Sequence, residues 1–156
     1  MTMINVGLVG YSAQKFDEDI AKDLIREAFD WVEQEFEGKS FCIVSGLTDL
    51  GIPALGYREA DKRGWETAGV APEEAKQYDC YDVDEEIIAG KKFGDESDKF
   101  LSMLDVLVKI GGGKQSKAEF KKAKGMGIKT WEGNPEDVET EDLGDGYSTQ
   151  KHKPHF

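Results

Sequence analysis

Histidine is almost missing from this chain, and the two that occur, His152 and His155, stand among its last five residues. Proton relays through a positioned imidazole therefore have no group to work with in the body of the chain. Cysteine is equally scarce. Cys42 lies in an apolar run and nothing in the spacing pairs it with Cys80, so the expectation is a reducing compartment with no disulfide. No apolar run approaches the ~20 residues of a membrane span, and the N-terminus has no basic segment followed by an apolar core. A cytoplasmic location follows as the expectation. Positive charge is also in deficit: 20 Lys and Arg face 32 Asp and Glu, a formal net charge of −12. That balance argues against non-specific binding to nucleic acid or to a membrane surface.

Several motifs are absent too. The dinucleotide fingerprint G-x-G-x-x-G does not occur, since Gly7-Leu8-Val9-Gly10 has only its outer spacing. The triphosphate P-loop fails because Gly113-Lys114 is followed by Gln115 in place of Ser or Thr. There is no Gly-x-Ser-x-Gly elbow. The acids Asp79, Asp82, Asp84, Glu85 and Glu86 match no calcium loop. No metal and no resident cofactor are expected.

What remains is 156 residues of ordinary globular composition, 38% hydrophobic and 33% charged, enough for one domain with a proper core. Met3–Val9 reads as a buried strand ending at Gly10-Tyr11-Ser12. The clearest helix spans 17–37, where Ile20, Leu24, Ala28, Val32 and Phe36 recur at four-residue steps; Asp17 to Asp19 open it and Gly38 ends it. Phe41–Val44 is a second strand running into Ser45-Gly46-Leu47-Thr48-Asp49-Leu50-Gly51, and Ile52–Lys62 can form a helix with Pro53 in its first turn. Thr67–Ala71 predicts a third strand, 72–77 a helical turn, and Cys80–Val83 a short strand. Residues 84–94 suit a loop over a site, and Ser97–Leu104 a helix; Asp95, Glu96 and Ser97 at its start could close over a ligand, or Asp95 could simply cap the helix. Asp105–Ile110 is a further strand, 116–124 a helix, and Ile128–Trp131 a last strand. Strands alternating with helices imply an α/β fold with a mostly parallel sheet covered on both faces. The domain is expected to span 1–131, with 132–156 an acidic tail that is poorly ordered or loosely docked.

One stretch organises the rest. Gly111-Gly112-Gly113 lets the backbone approach a ligand, and Ser116 with Glu119 forms a capping-box pattern that places a helix start at Ser116. Strand, glycine turn and helix N-terminus together make an anion site. Charge agrees: residues 109–129 hold seven lysines against the single acid Glu119, whereas 132–145 hold seven acids and neither Lys nor Arg. In parallel sheets ligands bind at the carboxyl ends of strands. Three such ends carry glycine beside hydroxyl or amide groups: Gly10-Tyr11-Ser12, Ser45-Gly46-Leu47-Thr48, and Gly111 to Ser116.

At these residues the chain resembles the LOG/lysine-decarboxylase-like branch of the SLOG superfamily of Rossmann-like proteins, over roughly residues 3–131. Gly111 to Glu119 is similar to that family's P-G-G-x-G-T-x-x-E segment, with Gly111 and Gly112 as the glycine pair, Ser116 near the Thr and Glu119 as the Glu. Ser45 to Pro53 resembles its G-G-x-x-G-x-M-G segment. The resemblance implies a Rossmann-like three-layer fold, a nucleotide or nucleotide-derived ligand, and pairing of subunits through helices, hence a homodimer or higher homo-oligomer. Hydrolytic members join the motif Glu to an arginine in the helix before the glycine-turn strand, where this chain has only Lys99.

The expected function is capture of a small phosphorylated nucleotide or nucleotide-derived signalling ligand, by a sensor or sequestering protein. Its phosphate would rest on the N–H groups of Gly112, Gly113, Lys114, Gln115 and Ser116, with the Lys114 side chain, Ser12 and Thr48 assisting. Asp49 and Glu119 are candidates for ribose hydroxyls. Glu119 would be catalytic only in the alternative reading, a LOG-type nucleotide phosphoribohydrolase. A ligand-free interaction protein is the third reading.

Overall fold

Met3–Gly10 forms the central strand, β1, of a sheet that everything else covers. The computed structural model describes residues 2–12 and 15–135. After β1 come α1 (Glu18–Glu35), β2 (Ser40–Ser45), α2 (Gly51–Lys62) and β3 (Glu66–Ala71). A 3-10 turn at Glu73–Gln77 leads to β4 (Glu85–Ile88), then α3 (Ser97–Ser102), β5 (Val106–Ile110), α4 (Lys114–Gly125) and β6 (Lys129–Gly133). The six strands lie in the order β4-β3-β2-β1-β5-β6 and every neighbouring pair is parallel. This is a three-layer α/β fold of the Rossmann-like kind. Among the described residues no helix is long and apolar enough to cross a membrane.

Side-chain alternation along the strands explains the layers. On one face Val6 and Leu8 of β1, Val106, Val108 and Ile110 of β5 and Trp131 of β6 pack under Leu24, Ile25 and Phe29 of α1 and Tyr57 of α2. On the other, Val9, Val44, Val70 and Leu107 meet Phe100 and Leu101 of α3 and Phe120 and Ala123 of α4. Fully burying one such large side chain is worth about 1.5–3 kcal/mol. Both faces being covered is why these strands read as continuous apolar runs. Asp17 caps α1 by accepting the Ile20 amide at 3.1 Å, and Gly38, at φ 82°, turns the chain out after its end.

Two expectations fail here. Cys80–Val83 is not a strand: only an isolated antiparallel bridge joins Cys80 to Thr48. The edge strand comes later, at Glu85–Ile88, inside the stretch expected to be a loop. An edge strand needs neighbours on one side only and tolerates acids, so Glu85-Glu86 hides it from an apolar-run reading. Reciprocal bonds align it: the Thr67 amide donates to Asp84 Oδ2 and the Asp84 amide to Thr67 Oγ1, each at 2.9 Å. The last strand also runs on to Gly133, two residues past the expected strand end at Trp131. The acidic tail from 136 on, with His152 and His155, lies outside the described residues.

Candidate functional site

Chain direction places the site. From β1 the sheet grows outward through β2, β3 and β4 on one side, and through β5 and β6 on the other. The loops after β1 and β5 therefore diverge at a switch point, where parallel sheets open a crevice at their carboxyl edge. A cavity of about 310 Å³ lies there. Its wall takes Gly10 and Ser12 from the β1 end and Gly46 and Thr48 from the β2 end. Gly113, Lys114, Gln115, Ser116 and Glu119 come from the β5–α4 junction. The three glycine loops meet in one place. A broader groove of about 700 Å³ lined by Trp31, Lys124 and Lys129 sits at the amino edge of the sheet, away from these loops.

Loop shape rests on backbone contacts. Gly111 and Gly112 have φ 63° and 116°, values that a side chain resists. A Cβ on Gly111 would stand 2.3 Å from the Tyr11 ring, and one on Gly112 would stand 2.6 Å from the Ser116 Cβ. The Tyr11 carbonyl accepts the Ile52 amide at 2.8 Å, which fastens the first loop to the start of α2. The Tyr57 hydroxyl lies 2.8 Å from the Gly46 carbonyl and 3.0 Å from that of Ala68, bracing the second loop from below.

The helix after the glycine turn begins earlier than its capping signature suggests. Gly113 is the N-cap and no side chain caps α4. Ser116 is thus the third helical residue, its Oγ 3.5 Å from the Gly10 carbonyl. Glu119 lies too far into the helix to reach the first amides. The glycine turn delivers the chain in helical direction one turn ahead of the S-x-x-E pattern, and glycine is itself an acceptable N-cap. The residues of that uncapped first turn line the cavity.

Glu119 instead leans across to α3. Its Oε2 accepts the Ser97 hydroxyl at 2.6 Å and the Gln115 amide nitrogen at 3.3 Å. The same nitrogen lies 3.2 Å from Glu96 Oε2, while Glu96 Oε1 accepts the Gly94 amide at 2.8 Å. Burial raises the Glu119 carboxyl above its ordinary value of 4.5; the Ser97 and Gln115 bonds pull it down and nearby Glu96 pushes it up.

Other expected residues fall elsewhere. Asp49 is not in the cavity wall: its carboxylate pairs with Arg58 at 3.0 Å. Tyr11 is buried and stacks on Phe16 at 6.0 Å, and Gly111 and Gly112 shape the turn without lining the cavity. The lysine field is thinner than its count. Lys109 pairs with Glu132, Lys122 with Asp98 and Lys129 with Glu35, so of the seven lysines only Lys114 reaches the wall. Conversely Phe93, Glu96 and Phe100 line the cavity from the α3 side. The loop placed over a site at 84–94 hinted at Phe93; nothing in the sequence singled out Phe100. Cys42 is buried and its thiol is pushed up to about 12 by that burial, and among the described residues no acid, His and Cys group could hold a metal.

No family model matches the chain, and no curated protein matches it. Solved structures do. The molybdenum cofactor binding protein of the phototrophic bacterium Rippkaea orientalis superposes with a TM-score of 0.69 at 19% identity, over 97% of this chain and 88% of that one. The molybdenum cofactor carrier protein of Chlamydomonas reinhardtii gives 0.66 at 21% identity, over 94% and 88%. A structural-genomics target named TM1055 gives 0.63 at 24% identity, over 82% and 72%. At these identities the likeness is one of fold.

Proposed function

We propose that this chain binds a small phosphorylated heterocyclic ligand, nucleotide-derived or pterin-type, at the carboxyl ends of its strands, as a carrier, sensor or sequestering protein. The observation that carries this reading is the junction from Gly111 to Ser116. A positive-φ glycine turn opens directly into an uncapped α4 N-terminus whose first residues line a cavity. Free first-turn amides and the helix dipole both favour an anion at that point. Lys114 adds a cation there, and Ser12 and Thr48 stand on the same wall. Two solved structures of this fold are described as molybdenum cofactor proteins, and that cofactor is a phosphorylated pterin, which brings pterin phosphates among the candidates. The resemblance of Gly111 to Glu119 to the SLOG superfamily favours the same reading and carries an expectation of homo-oligomers.

Hydrolysis through Glu119 has less support. Among the described residues no arginine lines the cavity: Arg26 pairs with Asp23, Arg58 with Asp49, and Arg63 with Asp30, Glu33 and Glu59. A thermal-shift screen with GMP, AMP, ribose 5-phosphate and a pterin phosphate tests the proposal. A true ligand at about 100 times its Kd adds about 2.7 kcal/mol of stability. No shift with any phosphorylated compound overturns it and leaves the interaction protein, whereas released base would restore the hydrolase.

A further inference from the structure

We propose that Glu96, Gln115 and Glu119 form the subsite that reads the ligand's heterocycle, and that the ring taken there carries an N–H beside an exocyclic NH2, as guanine and pterins do. This deepens the binding proposal and rests on it.

The cavity is electrically two-ended. At the glycine turn it offers backbone donors and Lys114, and toward α3 it offers two carboxylates. Glu96 and Glu119 are 8% and 7% exposed, and neither forms an ion pair among the described residues. Among the described residues their donors are the Gly94 amide, the Ser97 hydroxyl and one Gln115 nitrogen shared between them, and none of these reaches Glu119 Oε1. A buried carboxylate oxygen without a donor is unfavourable, so this wall is short of hydrogens. A phosphate would be repelled from it, and a ring edge that only accepts would gain nothing.

The remaining wall narrows the class. Phe93 and Phe100 line the same cavity as the carboxylates and add aromatic surface, Phe93 half exposed and Phe100 buried. A flat heterocycle suits them. The group now lying between the two carboxylates is itself an NH2, the amide of an exposed glutamine, and an exocyclic amino group can replace it. Guanine and pterins present N–H and NH2 side by side, which matches the two oxygens of one carboxylate. Adenine sets an acceptor beside its amino group and hypoxanthine lacks the amino group. A paired donor contact of this sort is worth about tenfold or more in discrimination.

Isothermal titration of the full chain with GMP, IMP, AMP, a 6-hydroxymethylpterin phosphate and ribose 5-phosphate tests this. The expected result is that GMP or the pterin phosphate, whichever is the true source of the edge, binds at least about tenfold tighter than IMP and AMP. Glu119→Gln and Glu96→Gln should each reduce that preference, with ribose 5-phosphate as the reference for the phosphate end. Equal binding of GMP, IMP, AMP and the pterin phosphate by the native chain overturns the subsite, as does a preference that survives both variants. If ribose 5-phosphate still binds in that case, only this inference falls. If no phosphorylated compound binds, both proposals fall. The comparison among ligands on the native chain stands even where a variant fails to fold.

Discussion

The Ser97 hydroxyl donates to Glu119 Oε2 across 2.6 Å, and this bond joins α3 to α4 at the wall of the cavity. It opposes the effect of burial, which raises the Glu119 carboxyl. A carboxyl raised in the folded state holds a proton that the unfolded chain has already lost. Its contribution to stability is therefore complete below its unfolded value, near 4.5, and is lost as pH rises through the folded one. Glu119→Gln is expected to gain stability relative to the native chain as pH climbs from 4.5 toward neutrality. Ser97→Ala should move that transition to higher pH. Urea denaturation across this range checks both; a pH-independent difference would refute the assignment.

Gly10 and Gly46 should respond oppositely to alanine. A Cβ on Gly10 would stand 2.2 Å from the Ile110 carbonyl, wedging β1 from β5, whereas one on Gly46 meets nothing within 4 Å. Gly10→Ala is expected to cost about 1–3 kcal/mol by overpacking. Gly46→Ala should stay within about 0.5 kcal/mol. Because Gly46 lines the cavity, its variant should still weaken ligand binding. Thermal melts and titration separate the two effects.

Lys109 is a strand lysine whose side chain is only 7% exposed, held by Glu132 of β6 at 3.0 Å. Removing the acid strands a buried ammonium. Glu132→Gln should cost about 1–3 kcal/mol, less than a fully buried pair because Glu132 keeps contact with water. Lys109→Met removes the charge together with its need for a partner and should cost less. Chemical denaturation of the two variants decides the order.

Lys114 opens α4 and is exposed, so its truncation should leave stability within about 0.5 kcal/mol. Binding is another matter. Lys114→Ala is expected to weaken a phosphorylated ligand by roughly tenfold, the loss of one charge-assisted contact, and to flatten the salt dependence of Kd. Titration at two ionic strengths measures both.

The fold was legible because its signals are local. The five apolar or stem-bearing residues of β5, the four-residue period of α1 and the glycines at the ends of β1, β2 and β5 report their own conformation whatever surrounds them. Their alternation then leaves few arrangements other than a covered parallel sheet. β4 was missed because its strand character comes from pairing with β3 and not from its own two acids and two isoleucines. The start of α4 was misjudged because a capping pattern states what Ser116 and Glu119 can do, while the turn at Gly112 and the packing of α3 decide what they do.

By itself the sequence determined that three strands run into glycine loops, that a glycine turn leads into a helix start between Gly111 and Ser116, and that the body of the chain holds no histidine. Only the tertiary structure decided that Asp49 turns aside to Arg58 and that three of the local lysines are spent on ion pairs. It also brought Glu96, which the sequence marked only as able to close over a ligand, to within reach of the Gln115 amide that Glu119 holds. The difference is one of range: backbone preference and periodicity act over a few residues. The partners of a charged side chain are set by elements tens of residues away, once burial forces each charge to find a neighbour.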